Sequence, residues 1–345
     1  MKKIILSKSI LLMLVLTSSS PYIPKNTTKI LINSIPDYMT ELPPVTEVYF
    51  DHKYNDQLCI GFFPQTILSI KFGNSFDKYI GIGVFNDGLS ELEFGTNFNQ
   101  KFDEKVLPQS LNKLVLGRDY DQCIDHVLPE NLRVLSFGDA YAHQFTINSF
   151  PPNLTHIVLP DINALPFESN ILPASLKSLH VGRYFNNQVC PGMLPPNLES
   201  ITFGTFFNGI IDPDGLPDTI KDIFFGNLYT GVLEPESIPS STENIYFTGH
   251  VRHEMLENIP TYINIYVRCR SEHPSFAATD ISNYTKFHKI HVYGDAFALK
   301  ESVKASIDIE IIDEYIHPIL SFVSVIINTK YYSYPSRNKS ANNIL

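Results

Sequence analysis

The stretch LPPNLESITFGTFFNG, residues 194–209, carries the pattern that decides the fold. Two other stretches, FNDGLSELEFGTNFNQ at residues 85–100 and LPQSLNKLVLGRDYDQ at residues 107–122, repeat its spacing. Eleven such units, 21 or 22 residues apart, begin at Leu42, Phe63, Phe85, Leu107, Leu128, Phe150, Leu172, Leu194, Leu216, Ile238 and Ile259. Chance does not produce ten successive spacings this uniform, so the sequence predicts a repeat protein.

Each unit carries the same marks when its apolar start is counted as position 0. Pro follows the start in ten units, apolar residues return at positions 4, 7 and 9, and position 10 is Gly in seven units. An aromatic residue at position 13 and an Asn or Asp at position 14 follow in several units. Positions 7 and 9 lie on one side of a short strand, which Pro and Gly bound. The aromatic residue is expected to fill the core, and the Asn or Asp to form a turn.

One such unit cannot bury its apolar face alone, but stacked units share that face and build a continuous core. The pattern therefore predicts a β-rich solenoid, a leucine-rich-repeat-like stack of eleven coils of about 22 residues with a parallel sheet on one face. A parallel β-helix is the alternative, since it differs mainly in how the return segment folds.

The combination L-P-x-S/N-L-x-x-L-x-F-G-x-x-F-N-Q/N resembles the FNIP repeat family of social amoebae and amoeba-infecting giant viruses. Residues 95–100 and 204–208 carry the resemblance most closely, and it covers residues 42–268. Four units depart at the glycine position, where Asp51, Pro160, Thr248 and Arg268 stand. For many members the resemblance implies a substrate adaptor with an N-terminal F-box. Here Pro21, Pro24 and Pro36 disrupt the helices that an F-box requires.

Four segments are predicted: an N-terminal segment at residues 1–41, the solenoid at 42–268, a C-terminal cap of eroded repeats at 269–331, and a flexible tail at 332–345. The first segment is interpreted as a capping element, an F-box remnant or a signal-like sequence. Lys2, Lys3, the apolar run at residues 10–16 and Ser18, Ser19 and Ser20 resemble a signal peptide, but Lys8 interrupts the pattern. A buried helix or strand that covers the first repeat is the equal alternative. In the cap, residues 289–293 and 307–312 alternate like strands.

Positions 6 and 8 of each unit face away from the core and should form two columns on the open sheet face, the usual binding surface of solenoids. The candidate partner-binding residues on that face are Tyr49, Lys71, Glu93, Lys113, His156, His180, Asp222, Phe224, Asn244, Tyr246, Asn264 and Tyr266. One interpretation is that Phe224, Tyr246 and Tyr266 are exposed and act as binding hot spots. The other, favoured because residues 269–345 must pack somewhere, is that these rings simply suit strands and are covered by the C-terminal tail.

Charge and spacing exclude several other functions. The formal charge of −10 disfavours nucleic acid as a partner, and no apolar stretch is long enough to span a membrane. The four cysteines, Cys59, Cys123, Cys190 and Cys269, lie at least three coils apart, too far for disulfides within the stack. No catalytic motif or cofactor fingerprint is present, and the pairs His250-x-x-His253 and His288-x-x-His291 lack a third metal ligand.

These observations predict a non-catalytic repeat scaffold for protein–protein interaction, with an adaptor that presents a target as one form of it. The chain is expected to be a monomer that binds no cofactor, no metal and no nucleic acid. Free thiols favour an intracellular, cytoplasmic location. The alternative is a secreted or surface recognition protein with a signal peptide, which the sequons at Asn26, Asn153, Asn283 and Asn338 would favour.

Overall fold

In the part of the chain that the structure describes, the fold is built from fifteen short strands and almost no helix. A computed structural model of the chain describes residues 14–17, 23–24, 26–37, 39–161, 170–249, 251–269, 290–294 and 309–312. The strands are β1 (Leu14–Leu16), β2 (Lys29–Ile32), β3 (Glu47–Phe50), β4 (Ser69–Lys71), β5 (Glu91–Glu93), β6 (Lys113–Val115), β7 (Val134–Ser136), β8 (His156–Val158), β9 (Ser178–His180), β10 (Ser200–Thr202), β11 (Asp222–Phe225), β12 (Asn244–Phe247), β13 (Asn264–Cys269), β14 (Ile290–Gly294) and β15 (Ile309–Ile312). Two short 3-10 helices, Pro235–Ser237 and His253–Leu256, lie in return segments.

All fifteen strands form one parallel sheet in the order of the sequence. Equivalent positions of successive units pair directly, as Leu92 does with Leu114 and Ile201 with Ile223. Among the described residues, the return segments add only one further bridge, between Val189 and Ile211. The predicted leucine-rich-repeat-like solenoid with a parallel sheet on one face is confirmed.

The sheet extends beyond the eleven predicted coils at both ends. Strands β1 and β2 precede the first unit and pair with each other and with β3. Strands β14 and β15 follow the last unit, at the two places where the sequence alternates like a strand. The proposed boundaries at residues 41, 268 and 331 stay a prediction, while the four outer strands join the same sheet as the repeats.

Among the described residues, positions 4, 7, 9 and 13 of the units fill most of the core, as the pattern predicts. In the unit that begins at Leu194, these side chains are all buried: Leu198, Ile201, Phe203 and Phe207. Successive aromatic residues at position 9 stack in a column, with ring centroids 4.8 Å apart for Phe50 and Phe72 and 5.1 Å apart for Phe72 and Phe94. Each stacked pair contributes about 0.5–1.5 kcal/mol beyond the burial of its area.

The glycine at position 10 is required because the coils touch there. A Cβ placed on Gly95 would collide with the carbonyl oxygen of Gly73, and one on Gly117 would collide with that of Gly95. Neither glycine has a positive φ. This position therefore requires glycine for close backbone approach and not for a left-handed conformation.

Where position 14 is Asn or Asp, its side chain joins several coils to the next one. Asn99 Oδ1 accepts hydrogen bonds from the backbone amide of Asp121 at 2.9 Å and from Gln122 Nε2 at 3.0 Å. In the equivalent bond of a later pair of coils, the backbone amide of Asn208 donates to Asn186 Oδ1 at 2.7 Å. The expected turn former therefore acts between coils, where its oxygen satisfies an amide of the next coil.

The bonds at position 14 form one ladder of hydrogen bonds between coils. A second such ladder lies at position 3, just before the strands. Ser or Thr hydroxyls and Asn amides at this position donate to backbone carbonyls of the preceding coil, as Asn197 Nδ2 does to the Ala174 oxygen at 2.9 Å. The donors of this ladder are Thr66, Ser110, Asn131, Asn153, Ser175, Asn197, Thr219 and Ser241. The two ladders fix each coil to its neighbour on both sides of the strand.

Candidate partner-binding face

The outward face of the sheet is formed by positions 6 and 8, which alternate with buried position 7. In β5 and β6 the middle residues Leu92 and Leu114 are buried, whereas Glu91 is exposed and Lys113 is partly so. The backbone amides and carbonyls of these two strands are already paired with the neighbouring strands on both sides. The side chains of these two columns therefore decide what the face can bind.

Early strands carry alternating charges that pair across the sheet. Lys29 Nζ lies 2.7 Å from Glu47 Oε2, and Lys71 Nζ lies 2.5 Å from Glu93 Oε1. The Tyr49 hydroxyl donates to Glu47 Oε2 at 2.9 Å. Each of these pairs bridges neighbouring coils or neighbouring columns, but partly exposed pairs contribute only about 0–1 kcal/mol each.

These contacts shift two pKa values in opposite directions. Partial burial acts to raise the pKa of Glu47, but hydrogen bonds from Lys29 and Tyr49 outweigh it and leave that pKa below its usual value. Burial, followed by the bond to Glu47 and the nearby charges of Glu91 and Glu93, raises the pKa of Tyr49 to about 12. At neutral pH the Glu47 carboxylate is therefore ionised and the Tyr49 hydroxyl is neutral.

Four of the predicted residues meet in one shallow depression. Tyr49, Lys71, Glu93 and Lys113 line it together with Ser69 and Glu91. Glu91 and Lys113 are register partners on adjacent strands. The depression thus offers both a carboxylate and an ammonium group to a partner.

The central strands are less charged. His156 of β8 and His180 of β9 lie on adjacent strands but in different columns, because His156 pairs with Ser178 and His180 with Val158. Burial, and then the charge of Lys177, lowers the pKa of His156 below its usual value. This imidazole is consequently neutral at pH 7.

The late strands differ from the expectation. Phe224, Tyr246 and Tyr266 are only 2%, 0% and 7% exposed, so the prediction that they form an exposed aromatic patch is wrong. They stack on one another, with ring centroids 4.1 Å apart for Phe224 and Tyr246 and 4.4 Å apart for Tyr246 and Tyr266. The three rings are buried on the outward side of the sheet, outside the main hydrophobic core. The tail that the sequence suggested as their cover lies outside the described residues.

Beside these rings runs a row of polar side chains on the same three strands. Asn244 Nδ2 donates to Asp222 Oδ1 at 2.8 Å, and Asn264 Nδ2 donates to Asn244 Oδ1 at 2.9 Å. The row is a third ladder between coils. Its members already bond to each other, so their hydrogen-bonding capacity is partly used within the sheet.

The twelve predicted residues therefore do not form one site. Strands β6 and β11 are five strand spacings apart, about 24 Å at the usual spacing. The charged group around the early depression and the packed rings of β11 to β13 are consequently separate regions. Whether any of these residues contacts a partner stays a prediction.

A groove lined by polar side chains lies along the edge of the sheet formed by the residues just before the central and late strands. The sequence pattern did not predict it. Its lining includes Arg133, Lys177, Glu199 and Lys221 at position 5, and several members of the position 3 ladder. Glu199 holds two lysines, with Oε1 2.5 Å from Lys177 Nζ and Oε2 3.1 Å from Lys221 Nζ. The recurring polar residues at positions 3 and 5 were the signal that could have revealed it.

Metal and thiol chemistry is limited in the described part of the chain. No group of three or more His, Cys, Asp and Glu side chains there could hold a metal ion. Cys59, Cys123 and Cys190 are free and exposed. The side chains of Cys269 and of both predicted His-x-x-His pairs lie outside the described residues. No helix within the described ranges is long and apolar enough to cross a membrane.

Comparison with known proteins agrees with the repeat architecture. The model of the FNIP Repeat matches six overlapping stretches, residues 76–119, 98–139, 120–161, 165–206, 190–228 and 207–250. A similar solved structure is that of CroV588, a giant-virus protein described as having a novel circular LRR structure. The two share 27% identity and a TM-score of 0.59 over 72% of this chain and 41% of CroV588. The chain thus spans about two fifths of the length of that protein, and no curated protein sequence matches it.

Proposed function

Because the chain belongs to the FNIP repeat family, we propose that it is a non-catalytic scaffold that binds a protein partner through the outward face of strands β3 to β6. An adaptor that presents a bound target is the form of this function that the family resemblance favours.

One contrast between positions of the repeat carries the proposal. The same kinds of residue recur from coil to coil at the positions that build the stack. These are the core positions, the glycine at position 10 and the polar residues at positions 3 and 14. On the outward face, the same positions change from Tyr49 to Lys71 to Glu93 along one column. Side chains that the fold does not constrain are available for recognition.

The chemistry of the face suits a protein partner with charged groups of both signs. The depression around Lys71, Glu91 and Lys113 offers carboxylate and ammonium groups within a few strand spacings. Such mixed charge sets the specificity and the rate of association more than the affinity. The overall charge of −10 would oppose a polyanion such as nucleic acid.

Charge reversal tests the proposed face. Lys71→Glu together with Lys113→Glu should abolish co-purification of the partner that the unaltered chain captures, with the thermal transition unchanged. Lys101→Glu, an exposed lysine in a return segment, is the matched control and should retain the partner. Loss of the partner in both variants, or in neither, would refute a role for this face.

We propose an intracellular, cytoplasmic location and a monomeric state for the same scaffold. Three exposed free thiols support a reducing compartment. Sequencing of the mature N-terminus checks the location, because removal of a leader would favour the secreted or surface recognition protein. Light scattering of the purified chain at micromolar concentration checks the monomeric state, and a mass of twice 39.1 kDa would contradict it.

A further inference from the structure

An apolar ridge on the turn that follows the strands stands apart from the proposed face. It consists of Tyr184, Phe206 and Leu228, which occupy position 12 of three successive units and are 50%, 42% and 53% exposed. The rings of Tyr184 and Phe206 stack with centroids 5.1 Å apart and planes inclined by 7°. Three large apolar side chains thus form a continuous exposed row across three coils.

The fold does not need apolar residues at position 12. Earlier units carry Ser75, Asn97, Asp119 and Ala140 there. Their backbones make the same bond to the preceding coil, as the amide of Asn97 does to the Asn74 oxygen at 2.9 Å and that of Phe206 to the Arg183 oxygen at 3.0 Å. Since polar residues satisfy this turn equally well, the apolar row has no structural requirement behind it. Exposed apolar patches with no such requirement mark interaction sites.

The size of the ridge limits what can cover it. Two half-exposed rings and one half-exposed leucine offer about 300 Å² of apolar surface, judged from the 150–250 Å² that one aromatic side chain buries. A stable dimer needs about 800 Å² from each partner. The ridge is therefore too small to hold two copies of this chain together, but it suits a short segment with a few anchoring side chains.

The repeat distance of the ridge selects the conformation of that segment. Successive coils present an apolar group about every 5 Å, as the 5.1 Å between the two ring centroids shows. An α-helix rises 5.4 Å per turn, so an apolar stripe along a helix that runs parallel to the solenoid axis presents one side chain to each coil. Apolar side chains on one side of an extended strand recur about every 6.6 Å and would fall out of step.

Two other ligand classes fit the ridge poorly. A sugar stacks on the face of an aromatic ring, but the facing sides of Tyr184 and Phe206 are occupied by each other. Thr205 and Asn227, which precede Phe206 and Leu228, carry no charge. Arg183, which precedes Tyr184, has its charge balanced by Asp161, with Nε 3.7 Å from Asp161 Oδ2. Recognition of a phosphate or another strongly charged group would need several cations along the row.

From the exposure and the spacing of this row, we propose that the apolar ridge is a second docking site, which binds an amphipathic helix of a partner protein along the solenoid axis. Its three side chains pack between apolar side chains on successive turns of that helix, in the manner of other helix-docking surfaces.

A synthetic probe tests the ridge without knowledge of the natural partner. The probe is a fluorescent, hydrocarbon-stapled peptide of about 15 residues that presents leucines on three successive turns of one face. Fluorescence anisotropy with the full chain should show saturable binding. The triple variant Tyr184→Ser, Phe206→Asn, Leu228→Asn, which uses residue types found at position 12 elsewhere in the chain, should weaken that binding at least tenfold.

Three controls make the outcome decisive. A peptide of the same composition with its leucines spread around the helix, and one with a central proline, should each bind at least tenfold more weakly than the probe. Ile147→Asn, at an exposed apolar residue in another part of the stack, should leave binding unchanged. Equal binding by the proline peptide would overturn the helix assignment, and equal binding by a folded triple variant would overturn the site. The Lys71→Glu, Lys113→Glu variant should bind the probe normally, which separates this site from the outward face.

Discussion

The backbone amide of Asp121 donates a hydrogen bond of 2.9 Å to Asn99 Oδ1, a side chain 22 residues earlier in the sequence and one coil away in the stack. The same oxygen receives the side chain of Gln122 at 3.0 Å. One carboxamide thus holds two donors of the next coil, which explains why Asn or Asp recurs beside the core aromatic residue.

Asn99→Ala is expected to lower the free energy of unfolding by about 1–3 kcal/mol, because it leaves a partly buried amide without its acceptor. Chemical denaturation followed by circular dichroism measures this change. Asn97→Ala is the matched control, since Asn97 is exposed and its replacement should cost less than about 0.5 kcal/mol. Equal effects of the two substitutions would contradict the role given to Asn99.

Gly95→Ala is expected to destabilise the chain by more than about 2 kcal/mol, because the new methyl group would collide with the Gly73 carbonyl and force the coils apart. Gly81→Ala adds the same methyl group where its nearest neighbour, Tyr79 Cε1, lies 3.8 Å away. That variant should melt within a few degrees of the unaltered chain. Differential scanning calorimetry compares the two, and a Gly95→Ala chain of normal stability would refute the close approach.

Tyr120→Phe is expected to leave stability unchanged or to raise it by up to about 1 kcal/mol. The Tyr120 hydroxyl is buried and has no hydrogen-bond partner among the described residues, so folding removes it from water without compensation. Tyr79→Phe is the comparison, because the exposed Tyr79 hydroxyl donates to Asp103 Oδ2 at 2.7 Å. A clear loss of stability in Tyr120→Phe would show that the hydroxyl has a partner, such as a buried water molecule.

The sequence predicted the interior of this molecule better than its surface. The side chains of Ile201 and Phe203 are both buried, as the two-residue spacing of positions 7 and 9 requires. The periodicity of the sequence predicts on which side of a strand each side chain lies. It does not tell whether another segment covers a side chain on the outward side. Tyr246 points away from the predicted core and is nonetheless completely buried, so the interpretation as an exposed patch was wrong.

Other features were visible in the repeat but were not recognised. The polar residue at position 3, such as Asn197, recurs from unit to unit because it donates to the coil before it. The change from Asn97 to Phe206 at position 12 marks the apolar ridge. Both signals emerge when the units are compared position by position, including positions outside the core pattern.

Glu199→Gln is expected to cost no more than about 1 kcal/mol at pH 7, because its two ion pairs are exposed and screened by solvent. Hydrogen bonds from Lys177 and Lys221 lower the pKa of Glu199 below the ordinary value of 4.5. A lowered pKa in the folded state contributes stability above pH 4.5 and loses it as the pH falls through the folded value. The difference from the unaltered chain should therefore shrink in acid.

Urea titrations at neutral and acidic pH measure that difference. Glu104→Gln removes an exposed carboxylate with no ion pair among the described residues, and it should show no such dependence on pH. A cost for Glu199→Gln that persists unchanged in strong acid would contradict the ionic origin of the effect.

The ladders between coils have a consequence for how such a chain can change in length. Asn99 finds Asp121 because the two are one full unit apart, and the same interval sets the glycine contacts and the strand pairing. Insertion or deletion of a whole unit preserves this interval, whereas a gain of a few residues within a strand or its flanking turns breaks several of the contacts at once. The gene of such a protein can therefore grow or shrink by unequal recombination between its own repeats, and each product of whole-unit exchange inherits a stack that folds.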